Sequence, residues 1–307
     1  MRPTATRKCD EMAENDWLTE GFEQNRGRLR AVAYRMLGSL AEADDAVQEA
    51  WLRVARADAS DVDNLSAWLT TIVARVCLNA LRSRNTRREE PLDSHVPDPV
   101  ITRADGKDPS NPEEQALLAD SVGLALQVVL ETLTPAERLA FVLHDTFGLP
   151  FEEIVPMVDR SPAAARQLAS RARRRVRGAD VPDRDVARQR EIVDAFFAAA
   201  HGGDFDALVA VLDPDVVARI DAGTGGPIAS GVLRGAPTVA RQTLAIASIA
   251  APKHPVLVNG AAGVVITLGG QPVAVMSFTV SGGKIVEINS INDPGRLRRL
   301  DLSFLGD

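Results

Sequence analysis

The apolar residues of this 307-residue chain keep a helical period as far as position 177, and beyond a break at Val181-Pro182-Asp183 their period becomes two. One bundle or one sheet cannot satisfy both rhythms, so the pattern calls for several domains, as the length also allows. In the first part Phe22, Leu29, Val32, Ala33, Met36 and Leu37 recur at helical spacing. Gly38 then interrupts, and Ser39 followed by Glu42 reads as a capping box. The next helix carries Ala43, Ala46, Val47, Ala50, Trp51 and Val54 on one face and Asp44, Asp45 and Glu49 on another. A polar turn at 58–66 leads into a third helix, from about Ala67 to Arg82, with a basic end of Arg82, Arg84, Arg87 and Arg88.

From Glu89 to about Pro112 the periodicity disappears and five prolines stiffen the chain, which reads as a linker. Helices resume at Glu113–Leu133, and Thr134-Pro135-Ala136-Glu137 starts another with proline at its first position. A short helix from Pro150 to Val158, a Ser161-Pro162 start and a helix to about Arg177 complete a second lobe. The last part opens with helices at Asp185–Ala200 and Asp204–Leu212. Alternating strands follow (Gly263–Leu268, Pro272–Val280 and Lys284–Asn292), with turns at Gly269-Gly270 and Gly282-Gly283.

Lys and Arg number 35 against 42 Asp and Glu, a net charge of −7, which as a global figure speaks against an unaided nucleic-acid binder. The charge is segregated, however. Between 161 and 178 no acid occurs, while Arg166, Arg171, Arg173, Arg174, Arg175 and Arg177 do. Residues 151–177 fit a helix-turn-helix whose second helix enters a groove, with Ala163, Ala164, Arg166 and Gln167 near base edges and later arginines on phosphates. Trp68 and the Arg82–Arg88 cluster form a second candidate, since aromatic and arginine side chains together hold unstacked bases; Trp51 reads as core. Only two cysteines occur, Cys9 and Cys77, so no disulfide framework is expected. With no secretory leader and no membrane-length apolar run, the expectation is a cytoplasmic protein.

These residues resemble a known family. Residues 22–57 (FEQNRGRLRAVAYRMLGSLAEADDAVQEAWLRVARA) resemble the first part of sigma region 2, residues 65–88 its promoter-melting part, and residues 113–177 sigma region 4. The Asp-Asp-Ala-Val-Gln-Glu-Ala-Trp-Leu-Arg string at 44–53 and RSPAAARQLASRARRRV at 160–176 carry most of the likeness. The layout is that of extracytoplasmic-function sigma factors. Residues 185–212 (DVARQREIVDAFFAAAHGGDFDALVAVL) are similar to the start of the SnoaL-like domain of one subset.

The resemblance implies a multidomain fold: two all-α sigma lobes, a region 2 helical bundle and a region 4 helix-turn-helix, followed by an α+β cone-shaped SnoaL-like barrel. The expected boundaries are a disordered tail at 1–16, region 2 at 17–90, a Pro-rich linker at 91–112, region 4 at 113–178, a linker at 179–186 and the SnoaL-like domain at 187–307. It also implies binding to core RNA polymerase through Asp44, Asp45, Gln48, Glu49 and Arg53. A minus-ten element would be read by Asn64, Ser66, Arg75, Asn79, Arg82, Arg84, Arg87 and Arg88. A minus-thirty-five element would be read by Ala163, Ala164, Arg166, Gln167, Ser170, Arg171, Arg173 and Arg174. The subset's linker motif is altered here to His95-Val96-Pro97-Asp98-Pro99, and its C-terminal motif to Asn292-Asp293-Pro294-Gly295-Arg296-Leu297. Pro97, Asp98, Pro99, Asn292, Asp293, Pro294 and Leu297 are therefore the candidate regulatory residues.

Barrels of the last type include enzymes that set a carboxylate base and a polar oxyanion donor in an apolar cone. Asp221, Asp206 and His254 are the candidates, but the sole tyrosine is Tyr34, far from this part of the chain. Asp206 reads as solvent-facing near a helix start, and His254, just before Pro255, as loop. The expectation is thus no enzyme, no metal and no cofactor, with promoter DNA, core RNA polymerase and a small-molecule ligand of the C-terminal domain as partners. The competing readings are a helix-turn-helix regulator with a ligand-sensing domain and an isomerase- or cyclase-type enzyme fused to a DNA-binding module.

Overall fold

Gly38, at φ 77°, ends the first helix in the left-handed conformation that glycine adopts without penalty, and its N–H closes on the Tyr34 carbonyl at 2.8 Å. That helix, α1 (Ala5–Leu37), is followed at once by α2 (Leu40–Val54), whose Ser39 cap accepts from the Glu42 N–H. The third is α3 (Leu65–Arg87). The computed structural model describes residues 5–57, 59, 62–87, 95–104, 124–158, 160–177, 183, 185–223, 229–247 and 251–306. The chain divides into two units, one of Met1–Arg88 with Leu130–Val176, the other of Glu89–Val129 with Arg177–Asp307. Residues 5–16, read from sequence as tail, continue α1; between Ala5 and Asp16 there is no proline or glycine to stop the helix.

In the first unit α1, α2 and α3 pack on one another through Leu29, Val32, Met36, Val47, Val54, Leu69 and Val73, all buried. The boundary between the units falls within α4 (Leu124–Glu131), and the first unit continues with α5 (Pro135–Phe141), opened by a complete capping box between Thr134 and Glu137 and extended by a π turn at Val142–Thr146. Then follow α6 (Phe151–Val158) and α7 (Pro162–Arg177). Helix α3 packs against both α5 and α6. The buried Arg138 of α5 donates from Nε to the Arg35 carbonyl at 3.0 Å. Burial pushes the Arg138 guanidinium down to about 10, with the nearby Arg84 charge acting in the same direction; it stays charged at neutral pH. Cys77 is buried in the same core, and its thiol is pushed up to about 12, chiefly by burial.

The second unit is built on a seven-stranded sheet: β1 (Ile101–Arg103), β2 (Leu212–Asp221), β3 (Gly231–Arg234), β4 (Lys253–Val258), β5 (Ala261–Leu268), β6 (Gln271–Ser281) and β7 (Lys284–Ile291). The order is β1-β4-β5-β6-β7-β2-β3, antiparallel throughout except for the parallel pair β2 and β7. Helices α8 (Val186–Gly202), α9 (Phe205–Val211) and α10 (Ala236–Ala247) contribute Val193, Phe196, Leu208 and Val239 to a core with Val264, Phe278 and Ile288. Strand alternation sends Val256, Val258, Val265 and Val275 into a second cluster, closed by Val96, Ile101 and, from beyond α11 (Pro294–Leu297), Leu300, Leu302 and Phe304.

The segment read from sequence as a linker therefore enters the fold where it is described. Residues 101–103 pair with 256–258, and Val100 exchanges hydrogen bonds with Asn259: its N–H donates to Oδ1 at 2.9 Å, and its carbonyl accepts at 2.8 Å. His254, expected in a loop, lies in β4. Pro255 is tolerated there because, among the described residues, the β1 ladder reaches only 256–258 and takes no hydrogen bond from position 255.

Candidate nucleic-acid interface

Helix α7 divides cleanly into two faces. Ala165, Ala169 and Ala172 are buried, and their small side chains let the helix lie close on its neighbours. Ala163, Arg166, Gln167, Ser170, Arg171 and Arg174 recur at three and four on the opposite, exposed face; Ala164 is half-buried between the two. Ser161 caps the helix by accepting from the Ala164 N–H at 3.3 Å. Not every arginine of the run faces outward. Arg173 donates from Nε to Asp145 at 2.6 Å, and Arg175 reaches the Glu137 carboxylate at 3.2 Å and the Thr132 carbonyl at 3.3 Å. These two clamp α7 to the segment before it and so hold the exposed face in place. Arg166 stands 5.9 Å over the Phe151 ring and 3.6 Å from Glu152.

On α3, Arg75, Asn79 and Arg82 are exposed and share one face, being spaced by four and three. Three other residues expected beside them serve the fold. Asn64 accepts from the Ala67 N–H at 3.1 Å and caps α3. Ser66 is half-buried, its carbonyl taken by the Thr70 hydroxyl at 2.7 Å. Arg84 donates to the Leu37 carbonyl at 3.1 Å and pairs with Glu42, tying the end of α3 to the α1–α2 corner. Arg87 belongs to α3, but its side chain lies outside the described residues, as does Arg88 altogether. Trp68 is half-buried, and Trp51 packs on Phe22 with ring centroids 4.9 Å apart.

Along α2, Asp44, Asp45, Gln48, Glu49 and Arg53 lie on the exposed side, with Arg30 bidentate on Asp44 (2.6 and 3.1 Å) and Arg53 paired with Glu49 at 2.5 Å. Leu52 is exposed among them, an apolar centre for a polar face. Its position, one turn beyond Gln48, is the sequence signal for it.

In the second unit two of the candidate regulatory residues, Asp98 and Asp293, are bonded to Arg296. Its Nε and Nη2 donate to Asp98 Oδ1 at 3.1 and 2.5 Å, and its Nη1 to Asp221 Oδ2 at 2.5 Å. Asp221 also accepts from the Val96 N–H at 3.1 Å and stands 3.3 Å from His95 Nδ1. Burial alone would raise the Asp221 carboxyl; the hydrogen bonds from His95 and Val96 and the Arg296 charge outweigh it and hold the group below its ordinary value. Asp293 caps α11 through the Gly295 and Arg296 N–H groups, Pro97, Pro99 and Leu297 are buried, and Asn292 donates to the Val273 carbonyl at 3.3 Å. Gly223, at φ 65°, lies so close to Asp293 that a Cβ there would overlap its carboxylate. Asp221 and Arg296 are the members of this cluster that sequence reasoning misses. The signal for Arg296 is Asp98, an acid between two buried prolines that needs a cation.

Asp221, the candidate base in an apolar cone, belongs instead to this network: its carboxylate is taken by Arg296, His95 and the Val96 N–H, and it is not among the described residues lining the cavity. Asp206 is exposed in the first turn of α9, and His254 pairs with the Thr267 hydroxyl at 3.0 Å. No Asp or Glu is among the described residues lining the cavity.

Residues 22–87 match the family model for Sigma-70 region 2, and residues 123–176 that for Sigma-70 region 4. The chain is 34% identical over 290 residues to the probable ECF RNA polymerase sigma factor SigI of Mycobacterium tuberculosis, covering 93% of this chain and 97% of that one. It is 39% identical over 290 residues to the ECF RNA polymerase sigma factor SigJ of the same organism, covering 90% and 91%. The crystal structure of SigJ aligns with a TM-score of 0.72 at 34% identity, over 92% of this chain and 99% of that one. The likeness runs through both helical lobes and the α+β unit that follows them, and the chain belongs to the extracytoplasmic-function (ECF) sigma factors.

Proposed function

We propose that this chain is an alternative sigma factor that directs core RNA polymerase to specific promoters and helps to open the DNA, acting in the cytoplasm. The observation that carries the reading is the exposed face of α7, where Arg166, Gln167, Ser170, Arg171 and Arg174 align over a buried alanine stripe. Such a face suits the major groove of a minus-thirty-five element, with Arg and Gln on base edges and phosphates. Arg75, Asn79 and Arg82 on α3 are assigned to the opened minus-ten strand; flipping a base out costs a few kcal/mol, which contacts to the unstacked base must return. The α2 face around Leu52 is assigned to the polymerase, aided by Asp45, Gln48 and Glu49. The acid excess of the chain fits a factor that binds DNA weakly alone and relies on polymerase.

The second unit is assigned a regulatory role. The Asp98–Arg296–Asp221 network holds the segment after α3 against it, so changes in the unit reach the segment that leads on to the DNA-reading lobe. A small-molecule ligand in its cavity is the input this reading supplies. The test is transcription by core polymerase with the full chain on fragmented genomic DNA, mapping transcript 5′ ends. Starts gathered at a few sites sharing upstream sequence support the proposal; starts as scattered as those of core alone overturn it.

A further inference from the structure

Three of the large apolar side chains exposed among the described residues, Ile246 (44%), Leu268 (52%) and Val273 (37%), line one cavity in the second unit. It measures about 620 Å³, within the range of pockets that take drug-sized molecules. Its walls come from α8, α10 and the sheet, with Phe196, Phe197, Ile266, Met276 and Ile288 as the larger apolar surfaces. An apolar rim facing water around an apolar interior is a cost the fold bears unless something covers it.

The polar groups decide what that something is. The described lining holds no carboxylate side chain, so nothing there would balance a cationic ligand. Its charged members are cationic: Arg219, engaged with Glu287 at 2.7 Å, and Lys253, exposed at the rim with its ammonium 5.0 Å over the Phe197 ring. Exposed His201 adds an imidazole to the lining. On the sheet wall the Ser290 hydroxyl donates to Asn292 Oδ1 at 2.7 Å, so those two groups already engage each other.

We infer that the cavity binds an amphipathic organic anion, an extended apolar body bearing one carboxylate, with the body against the sheet and the carboxylate at Lys253. This rests on the reading of the second unit as ligand-sensing and names the class of its ligand. Dodecanoate is the probe, used with the full-length chain below its micelle-forming concentration and followed by displacement of 1-anilinonaphthalene-8-sulfonate and by calorimetry. Saturable one-to-one binding is expected, with affinity falling about fourfold for each methylene removed, as decanoate would show. Dodecyltrimethylammonium should bind at least tenfold more weakly. Lys253→Glu should reverse that preference, and Ala274→Phe, which fills the cavity, should abolish binding of both. No saturable binding of dodecanoate, equal binding of anion and cation, or a preference unmoved by Lys253→Glu would overturn the inference. Lys253 is exposed, so its substitution keeps the test decisive even if Ala274→Phe does not fold. Because no polymerase is present, a failure here is separable from a failure of the sigma-factor reading.

Discussion

Replacing Arg296 with methionine removes the guanidinium that bridges Asp98 and Asp221 while keeping the side chain's length and apolar body. The three side chains are 9%, 24% and 11% exposed, respectively for Arg296, Asp98 and Asp221. Breaking a buried pair from one side costs about 3–5 kcal/mol, because a charge is left uncompensated. Asp98 is a quarter exposed and regains water, so the lower end applies, about 3 kcal/mol for releasing the 95–104 segment. At 1.36 kcal/mol per decade this is about a hundredfold in the opening equilibrium. Hydrogen-exchange mass spectrometry of the full chain reads it: peptides from 95–104 and from β4, which pairs with β1, should exchange about a hundredfold faster. The three tryptophans, Trp17, Trp51 and Trp68, all lie in the first unit, so the tryptophan fluorescence transition in urea is an internal control and should not move. Replacing Asp98 and Asp221 by asparagine together with Arg296→Met should cost less than Arg296→Met alone, since no buried charge is then stranded. Unchanged exchange at 95–104, or a tryptophan transition destabilised as much as the 95–104 segment, would refute the reasoning.

Three more outcomes follow from the same geometry. Asp221 has a native pKa held below its ordinary value of 3.8, so its stabilisation is complete above that value and is lost as pH falls through the lower native one. The urea midpoint of the second unit, followed by circular dichroism in the β region, should therefore drop on acidification below about pH 4, and less steeply in Asp221→Asn. The Cys77 thiol, buried and raised to about 12, should resist alkylation at pH 8 until the chain unfolds, which a Cys9→Ser background would show by mass spectrometry. Ala169→Leu inserts three carbons at a fully buried position of α7 and should destabilise by about 1–3 kcal/mol in urea titrations, whereas Ser170→Ala on the exposed face should change stability by less than about 0.5 kcal/mol.

Local signals are legible in the sequence wherever the chain's neighbours in space are also its neighbours in sequence. Ser39 with Glu42 and Thr134 with Glu137 mark helix starts that the structure shows with their capping bonds made. The two faces of α7 can likewise be read from the spacing of alanine and arginine. What cannot be read depends on partners far along the chain. Residues 101–103 carry no strong strand pattern and become a strand only because β4 offers an open edge more than 150 positions later. Arg173 and Arg84 look like any other arginine of their basic runs until Asp145 and Glu42 are brought beside them. Asp221 finds its role only when Arg296, 75 positions later, is brought beside it, and Arg138 needs a carbonyl, that of Arg35, to justify its burial.

The most direct measurement of the central claim is permanganate footprinting of a promoter recovered from the genomic transcription assay, with core polymerase and the full chain. Unpaired thymines should appear around the minus-ten element with the wild-type chain and be reduced at least tenfold when Arg75, Asn79 and Arg82 are changed together to alanine. With Arg171→Ala and Arg174→Ala the same pattern should form but fail at lower salt, the affinity's salt slope falling by about one for each arginine taken away from a phosphate. Thymine reactivity equal to that of core polymerase alone, or opening indifferent to both sets of substitutions, would contradict the account.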